Sequence, residues 1–185
     1  MGSDKALLRL NGAPLVVSAA RLVESVAGEV TAVGAPERFS GLGLAVIPDD
    51  FPGAGPLGGI ATALRAARAA WNLIVACDLP YLTKAWLEHL AGRARASKGD
   101  AVLPMNVRGA EPLCAVYHKR CEPIIRAAIE RGIRKVTDGL AGLRVEEIEP
   151  AEWKAFDSDG LLFKNMNSPA DYEEAKARLE RRSPR

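Results

Sequence analysis

The run of apolar residues at positions 73–77, which ends at Asp78, restricts the fold of this chain more than any other feature. Apolar residues that do not alternate with polar ones, over the length of one strand, predict a β-strand buried on both faces, as in the parallel sheet of an α/β protein. Pro80 prevents that strand from continuing. Ligands of such sheets bind where the strands end, and a carboxylate there can hold a divalent cation with its phosphates. A turn or helix-capping role for Asp78 fits the same pattern equally well.

Length and composition are those of an ordinary globular protein. With 185 residues, the chain is expected to form a single domain over positions 1–185. A net charge of +2 and 5% aromatic residues argue against nucleic-acid binding, which needs a basic face with interleaved aromatic side chains. No apolar run approaches the ~20 residues that span a membrane, and no signal peptide opens the chain. Three cysteines without metal-ligand spacing indicate a reduced, cytoplasmic protein, with Cys77 and Cys114 buried inside strands.

Predicted strands and helices alternate along the sequence. Thr83 is expected to cap one helix, and Ser168, Pro169 and Asp171 have the pattern of a helix start. Positions 51–59 are too rich in glycine and proline to be predicted as helix or strand. The predicted helices cover positions 14–27, 60–70, 84–96, 123–131, 135–140 and 168–182, and the predicted strands positions 30–33, 44–47, 72–77, 100–104, 113–117 and 144–149. The alternation predicts a three-layer, doubly wound α/β fold with a mostly parallel sheet.

Four polar features are predicted to lie at the ends of strands: Lys5, Asp49, Asp78 and the pair Asn165 and Asn167. Each has an ordinary explanation, since terminal lysines are usually solvated and Asp and Asn are frequent in turns and helix caps. Together they would bring one cation, two carboxylates and amide side chains to one edge of one sheet. That combination favours a site for phosphates and a metal over a hydrolase that works by acid and base.

In these residues the chain resembles the molybdenum cofactor guanylyltransferases. That family opens with a strand and a motif of the form Leu-Ala-Gly-Gly-x-Ser-x-Arg-Met-Gly-x-Asp-Lys-Ala-Leu, and positions 1–7 match its second half. Further family blocks follow in family order: Asn-Gly-Ala-Pro-Leu at 11–15, Gly-Pro-Leu-Gly-Gly at 55–59, Cys-Asp-Leu-Pro-Tyr at 77–81, Glu-Pro-Leu-Cys-Ala-Val-Tyr at 111–117 and Asn-Met-Asn-Ser-Pro at 165–169. The resemblance covers nearly the whole chain and implies a Rossmann-like nucleotidyltransferase fold.

The resemblance also implies a reaction. A GMP moiety would pass from GTP to the phosphate of molybdenum-molybdopterin, giving the guanine dinucleotide form of the cofactor and pyrophosphate, so catalysis consists mainly of positioning and charge neutralisation. By the same resemblance Lys5 would neutralise the triphosphate, Asp78 would hold Mg²⁺ and Asp49 would contact guanine or ribose. Asn165 and Asn167 match the family's Asn-x-Asn and are expected beside the metal and the acceptor.

The acceptor site and the partners are less well defined by the sequence. Arg108, Arg134 and Lys135 are candidates for binding the acceptor's phosphate, on charge and position only, and solvated surface positions explain them almost equally well. An asparagine that contacts the nucleotide in the family aligns with Gly34, which has no side chain for that contact. The expected state is a monomer, with transient contacts to molybdoenzymes or their chaperones.

The first half of the signature motif, and the strand before it, would precede Met1. In the family that glycine-rich turn wraps the triphosphate, its N–H groups neutralising charge as phosphate loops do. The first strand would lie near the middle of the sheet, and without it ladder hydrogen bonds would be unmade. We hypothesise that in-frame sequence upstream encodes an apolar strand followed by Leu-Ala-Gly-Gly-x-Ser-x-Arg, an idea that a stop codon close upstream would contradict.

Three alternatives stay open at this point. Cytidylyl transfer to molybdopterin, or nucleotidyl transfer to a sugar phosphate, would use the same residues, because the base is selected in the loop that is missing and around Asp49. A truncated, non-catalytic protein that binds nucleotide or pterin is a second alternative. A NAD-binding Rossmann protein is the weakest, since no Gly-x-Gly-x-x-Gly follows a strand.

Overall fold

The predicted alternation of strands and helices is present in the computed structural model, which describes residues 4–182 and their side chains as far as residue 179. The helices are α1 (Leu15–Ala27), α2 (Pro56–Ala66), α3 (Lys84–Ala96), α4 (Glu122–Glu130), α5 (Val136–Gly139), α6 (Pro150–Trp153) and α7 (Pro169–Arg182). The strands are β1 (Arg9–Leu10), β2 (Ala13–Pro14), β3 (Ala32–Val33), β4 (Val46–Ile47), β5 (Trp71–Val75), β6 (Ala101–Asn106), β7 (Gly109–Ala110), β8 (Cys114–His118) and β9 (Val145–Ile148). None of these helices is long and apolar enough to cross a membrane.

The main sheet is mixed, with most of its long strands running in one direction. β8 lies between β5 and β6 and is antiparallel to both, so β5 and β6 run the same way. β9 adds to the other side of β6 in parallel, and the short β7 forms a hairpin with β6. β3 and β4 form a separate parallel pair, and β1 and β2 a separate hairpin. The sheet is therefore mostly parallel by strand direction, as predicted.

Helices cover both faces of the sheet, which makes three layers. On one face α3 buries Trp86, Leu87 and Leu90 against β8 and β6, in a cluster that also contains Trp153 of α6. On the opposite face α2 and α4 contribute a second apolar cluster, and the helices contact each other there. Because each helix buries one apolar stripe and the strands between them are buried on both sides, the chain has the doubly wound architecture predicted from its sequence.

Both predicted ends of α2 are wrong. α2 begins at Pro56, inside the segment predicted as loop, and ends at Ala66 instead of continuing to about residue 70. Pro56 occupies the first turn, where its missing N–H costs nothing, and Gly55 precedes it with a positive φ of 64° that favours glycine. Position 58 requires glycine, because a Cβ there would lie 2.9 Å from the carbonyl oxygen of Phe51. The glycine that argued against a helix therefore allows α2 to approach the preceding loop closely.

The two strands that precede β5 are shorter than predicted. β3 keeps only Ala32–Val33 of the predicted positions 30–33, and β4 only Val46–Ile47 of positions 44–47. Cys77 was predicted inside a strand, yet β5 ends at Val75 and leaves this cysteine half-buried in the following turn. Cys114 is buried within β8, as predicted.

The N-cap of α3 contributes to the stability of the fold. The Thr83 hydroxyl accepts a hydrogen bond from the backbone N–H of Trp86 at 3.2 Å, which confirms the predicted N-cap. Replacing Thr83 with alanine is expected to lower the free energy of unfolding by about 1 kcal/mol, because one helix donor loses its partner. Denaturant titration measures this loss. Thr137→Ala removes an exposed hydroxyl that bonds only Asp138 in the described region, and its midpoint should stay within error of the parent's.

Candidate active site

Asp78 lies in the turn that follows β5, where its carboxyl group is half-buried. The backbone carbonyl of Asp78 accepts a hydrogen bond from the N–H of Met166 at 2.9 Å, which fixes the loop of Asn165 and Asn167 against this turn. Burial raises the pKa of the Asp78 carboxyl above its ordinary value, and the positive charge of Lys5 acts in the opposite direction. A desolvated carboxylate next to one cation is a group whose ionised form a further cation would stabilise.

Lys5 and Asn167 are in direct contact although 162 positions separate them. The Lys5 ammonium donates a hydrogen bond to the Asn167 side-chain oxygen at 3.0 Å. Asp4 caps the short 3-10 helix that carries Lys5, accepting from the N–H of Ala6 at 3.1 Å. Asp171 in turn accepts from the N–H of Asn167 at 3.1 Å. Both ends of the described chain are therefore held at the turn that contains Asp78.

Three of the predicted site residues, Lys5, Asp78 and Asn167, are thus brought together. Asn165 is exposed in the same loop, immediately before the buried Met166. The identity of these residues as substrate or metal contacts stays a prediction. The expectation that each follows a strand is wrong for Lys5, which lies in a 3-10 helix, and for Asn167, which lies in the loop before α7.

Asp49 makes its contacts at a different place, in the connection between β4 and α2. Its carboxylate accepts from the N–H of Phe51 at 2.9 Å and from the Thr62 hydroxyl at 3.1 Å. The same hydroxyl accepts from the N–H of Asp50 at 3.0 Å. Asp49 therefore has an evident structural role in joining the turn to α2, beside the nucleotide contact predicted for it.

The three basic candidates for the acceptor phosphate fall into two groups. Arg108 is exposed at the tip of the β6–β7 hairpin, and its charge counteracts the effect of burial on the pKa of Glu111. Arg134 donates to the carbonyl oxygens of Ile129 and Ile133, at 3.1 and 3.0 Å, and so caps the end of α4. Lys135 is exposed and pairs with Asp138 on α5 at 3.4 Å. Arg108 is the one of the three whose electrostatic influence reaches a neighbour of Asp78.

That neighbour, Glu111, is the residue that the reading of individual motifs missed. Val75 is paired with Cys114 in the antiparallel register of β5 and β8, and the N–H of Ala76 bonds to the carbonyl of Leu113 at 2.8 Å. Asp78 and Glu111 lie just beyond this paired region, in the turns at its end, and the charge of Asp78 acts on the Glu111 carboxyl. Burial, and secondarily the Asp78 charge, raises the pKa of Glu111. Only the antiparallel pairing reveals this proximity, and the sequence predicted no such pairing.

The residues around Asp78 fit a divalent cation that is only partly held by protein. Within residues 4–182 no group of three or more histidine, cysteine or acidic side chains could enclose a metal. Magnesium is commonly bound through one or two carboxylates and substrate phosphates while keeping several waters. A half-buried carboxylate in a turn to which the loop of Asn167 is hydrogen-bonded fits that mode of binding better than a closed structural metal site.

Comparison with known proteins connects this arrangement to a family. Positions 1–145 match the model of the MobA-like NTP transferase domain, which is most of the chain. The chain belongs to that family. Members of this family are nucleotidyltransferases.

Relatives of the MobA-like family align with almost the full length of the chain. A protein of Pelotomaculum thermopropionicum named probable molybdenum cofactor guanylyltransferase is 32% identical, over 97% of this chain and 87% of its own length. One of the same name from Trichormus variabilis is 33% identical, over 100% of this chain and 88% of its own. The crystal structure of molybdopterin-guanine dinucleotide biosynthesis protein A from Archaeoglobus fulgidus superposes with a TM-score of 0.82 at 26% identity, covering 97% of this chain and 92% of that one.

Proposed function

We propose that this protein transfers GMP from GTP to the terminal phosphate of molybdopterin, releasing pyrophosphate. The observation that carries the proposal is the convergence of Lys5, Asp78 and Asn167 near the end of β5. It is supported by relatives that are named guanylyltransferases and that align with this chain over most of their own length. An oxygen of the acceptor phosphate would attack the α-phosphorus of GTP. The bond from that phosphorus to the oxygen bridging to the β-phosphate would break, and pyrophosphate would leave with the electron pair.

The residues act on charge and position. Lys5 would neutralise the triphosphate, and its hydrogen bond to Asn167 would set the direction of the ammonium group. Asp78 would hold the divalent cation, with Asn165 and Asn167 facing the metal and the acceptor. When bound, Mg²⁺ supplies positive charge to the phosphate oxygens as pyrophosphate departs. Asp49 would contact the guanosine, and Arg108 would bind the acceptor's phosphate in preference to Arg134, whose guanidinium already caps α4.

The identity of the nucleotide is tested by turnover. GTP and CTP are each titrated with Mg²⁺ and molybdopterin, and pyrophosphate is measured for the chain as printed and for a chain extended upstream of Met1. We expect GTP to be used with a kcat/KM at least about 10-fold above that for CTP, which corresponds to about 1.4 kcal/mol of discrimination. Preferential use of CTP would identify a cytidylyltransferase instead, and a lack of turnover with both nucleotides in both chains would refute the proposal.

The remaining expectations concern the protein's surroundings. A cytoplasmic location, a monomeric state, the absence of nucleic-acid and membrane partners, and transient contacts with molybdoenzymes or their chaperones stay predictions. Analytical ultracentrifugation addresses the monomeric state directly.

A further inference from the structure

α2 carries a buried hydroxyl on its apolar face. Thr62 is 1% exposed in the middle of this helix, and the other buried residues of the helix are apolar or glycine. A β-branched residue loses side-chain freedom in a helix, and burying a hydroxyl costs free energy unless it is hydrogen-bonded. Valine has nearly the same shape and would avoid the second cost. The reason for a threonine at this position therefore lies in the groups that its hydroxyl contacts.

The two partners of the Thr62 hydroxyl fix the direction of its proton. The backbone N–H of Asp50 donates to the hydroxyl oxygen at 3.0 Å, so this contact uses a lone pair of that oxygen. The other partner is Oδ1 of Asp49, at 3.1 Å. A hydroxyl has one proton to donate, and an ionised carboxylate only accepts. Thr62 therefore donates its proton to Asp49.

The two oxygens of the Asp49 carboxylate have different surroundings. Oδ1 accepts from the Thr62 hydroxyl and also from the backbone N–H of Phe51, at 2.9 Å. These two bonds use both of the lone pairs that a carboxylate oxygen offers. The hydrogen bonds that Asp49 accepts in the described part of the chain all go to Oδ1, which leaves Oδ2 for a ligand.

The bond from Thr62 exceeds what the connection between β4 and α2 requires. An aspartate that accepts from the N–H two residues further on forms a turn by itself, and Asp49 does so with Phe51. Arg65 already ties the same connection to α2, since its guanidinium lies 2.6 Å from the Asp50 carboxylate. What Thr62 adds is a second fixed contact to Oδ1, which restricts rotation of the Asp49 carboxylate.

We propose that Thr62 is a positioning residue for the nucleotide: it holds Oδ1 of Asp49, so that Oδ2 accepts one hydrogen bond from the guanosine moiety of GTP. The donor would be a single group of the nucleoside, either the 2-amino group of guanine or a ribose hydroxyl. A two-pronged contact with the N1–H and the 2-amino group of guanine would need both oxygens, and Oδ1 is already occupied. The inference rests on the guanylyl transfer and the Asp49 contact proposed above.

Thr62→Val and Thr62→Ser separate the hydroxyl from the volume of the side chain. The variants are made in the protein that turns over GTP in the titration described above, and the Kd for GTP with Mg²⁺ is measured by equilibrium dialysis. Valine frees the carboxylate to rotate, so the Kd is expected to rise about 10-fold while kcat changes by less than about 2-fold. Serine keeps the hydroxyl and should hold the Kd within about 3-fold of the parent's. If Thr62→Val does not fold, Thr62→Ala removes the same hydroxyl and leaves room for water, with the same rise expected.

Analogues of GTP identify the donor. ITP lacks the 2-amino group of guanine, and 2′-deoxy-GTP and 3′-deoxy-GTP each lack one ribose hydroxyl. The parent should bind one of the three about 10-fold or more weakly than GTP, because Oδ2 is then left without its donor. Thr62→Val should reduce that ratio at least about 5-fold and leave the other two ratios unchanged. A purely structural role of Thr62 would lower the Tm without changing these ratios.

Two controls show whether Thr62 acts through Asp49. In an Asp49→Ala background, Thr62→Val should change the Kd for GTP by less than about 2-fold, because the carboxylate that it orients is gone. Arg65→Gln breaks the ion pair with Asp50 and loosens the same connection without touching Asp49. It should leave the Kd for GTP and the analogue ratios within about 2-fold of the parent's.

Unchanged GTP binding by Thr62→Val would contradict the positioning role. So would a serine variant as weak as the valine variant, a valine effect that persists without the Asp49 carboxylate, or a parent that binds all three analogues as well as GTP. In each of these cases the parent still transfers GMP, so this inference fails alone. If the parent neither binds nor turns over GTP, the proposed function and this inference fail together.

Discussion

Replacing Asp78 with asparagine is expected to reduce guanylyl transfer by about 100-fold or more. The substitution is made in whichever of the two proteins, the printed chain or the extended chain, turns over GTP. The amide keeps the size of the carboxylate but loses the charge that would hold the divalent cation. Burial raises the pKa of this carboxyl group, so its ionised form is disfavoured in the folded protein. Removing the charge should therefore leave the Tm unchanged or slightly higher. Pyrophosphate release measures the first effect and a thermal melt the second.

Binding of Mn²⁺, which is detected through the paramagnetic signal of the ion, is a measurement that does not require turnover. Asp78→Asn should weaken Mn²⁺ binding in the presence of GTP, whereas Glu130→Gln should not, since Glu130 is an exposed carboxylate on α4. Normal turnover by Asp78→Asn, with unchanged metal dependence, would show that Asp78 only shapes the turn. Loss of turnover together with a collapse of the Tm would likewise assign it a structural role.

Replacing Asp100 with asparagine is expected to give the largest loss of stability among single polar substitutions. Asp100 is 8% exposed and accepts three hydrogen bonds from Arg144, including one from its backbone N–H at 2.9 Å. It also accepts one from Arg120 at 2.5 Å. The carboxylate thereby ties the starts of β6 and β9 to the end of β8. Because both arginines are partly exposed, we place the cost near 2 kcal/mol, below the range of about 3–5 kcal/mol for a fully buried pair that is broken.

The pH dependence of stability distinguishes this carboxylate from the others. Hydrogen bonds from Arg144 hold the pKa of Asp100 well below its usual value. Its contribution is therefore fully present above the unfolded pKa of about 4 and is lost as the pH falls toward the folded pKa. In Asp100→Asn the unfolding free energy should be lower at pH 7 and should decline less steeply below pH 4. Asp138→Asn, at an exposed position, should have the parent's profile, and a parallel acid decline in both variants would contradict this role.

Local chemistry explains which features the sequence could predict. The start of α3 was predictable because Thr83 supplies a cap whose partner is three residues away. Lys5, Asp78 and Asn167 were grouped on the expectation that each follows a strand, but of the three only Asp78 does; Lys5 lies in a 3-10 helix and Asn167 in the loop before α7. Glu111 escaped prediction because its position depends on the antiparallel pairing of β5 with β8, which no single motif encodes. The start of α2 was missed because Gly58 reads as a helix breaker until its contact with Phe51 is known.

Ion pairs between residues far apart in the sequence could not be predicted, for a related reason. Asp100 lies 20 and 44 positions from its arginine partners, and any of the chain's many charges could have been chosen for it. Arg134 was predicted as an acceptor-binding residue on its charge alone. Its hydrogen bonds to the carbonyls of Ile129, in the last turn of α4, and of Ile133, just beyond it, depend on where the helix ends, which composition does not show.

The contact between Lys5 and Asn167 has a consequence for synthesis on the ribosome. Asn167 is added 162 residues after Lys5, and closing so long a loop requires most of the intervening chain to be folded. A polypeptide that ends before Asn167 therefore lacks this hydrogen bond to the Lys5 ammonium group. If Lys5 binds the triphosphate as proposed, that site would be complete only after Asn167 has been added.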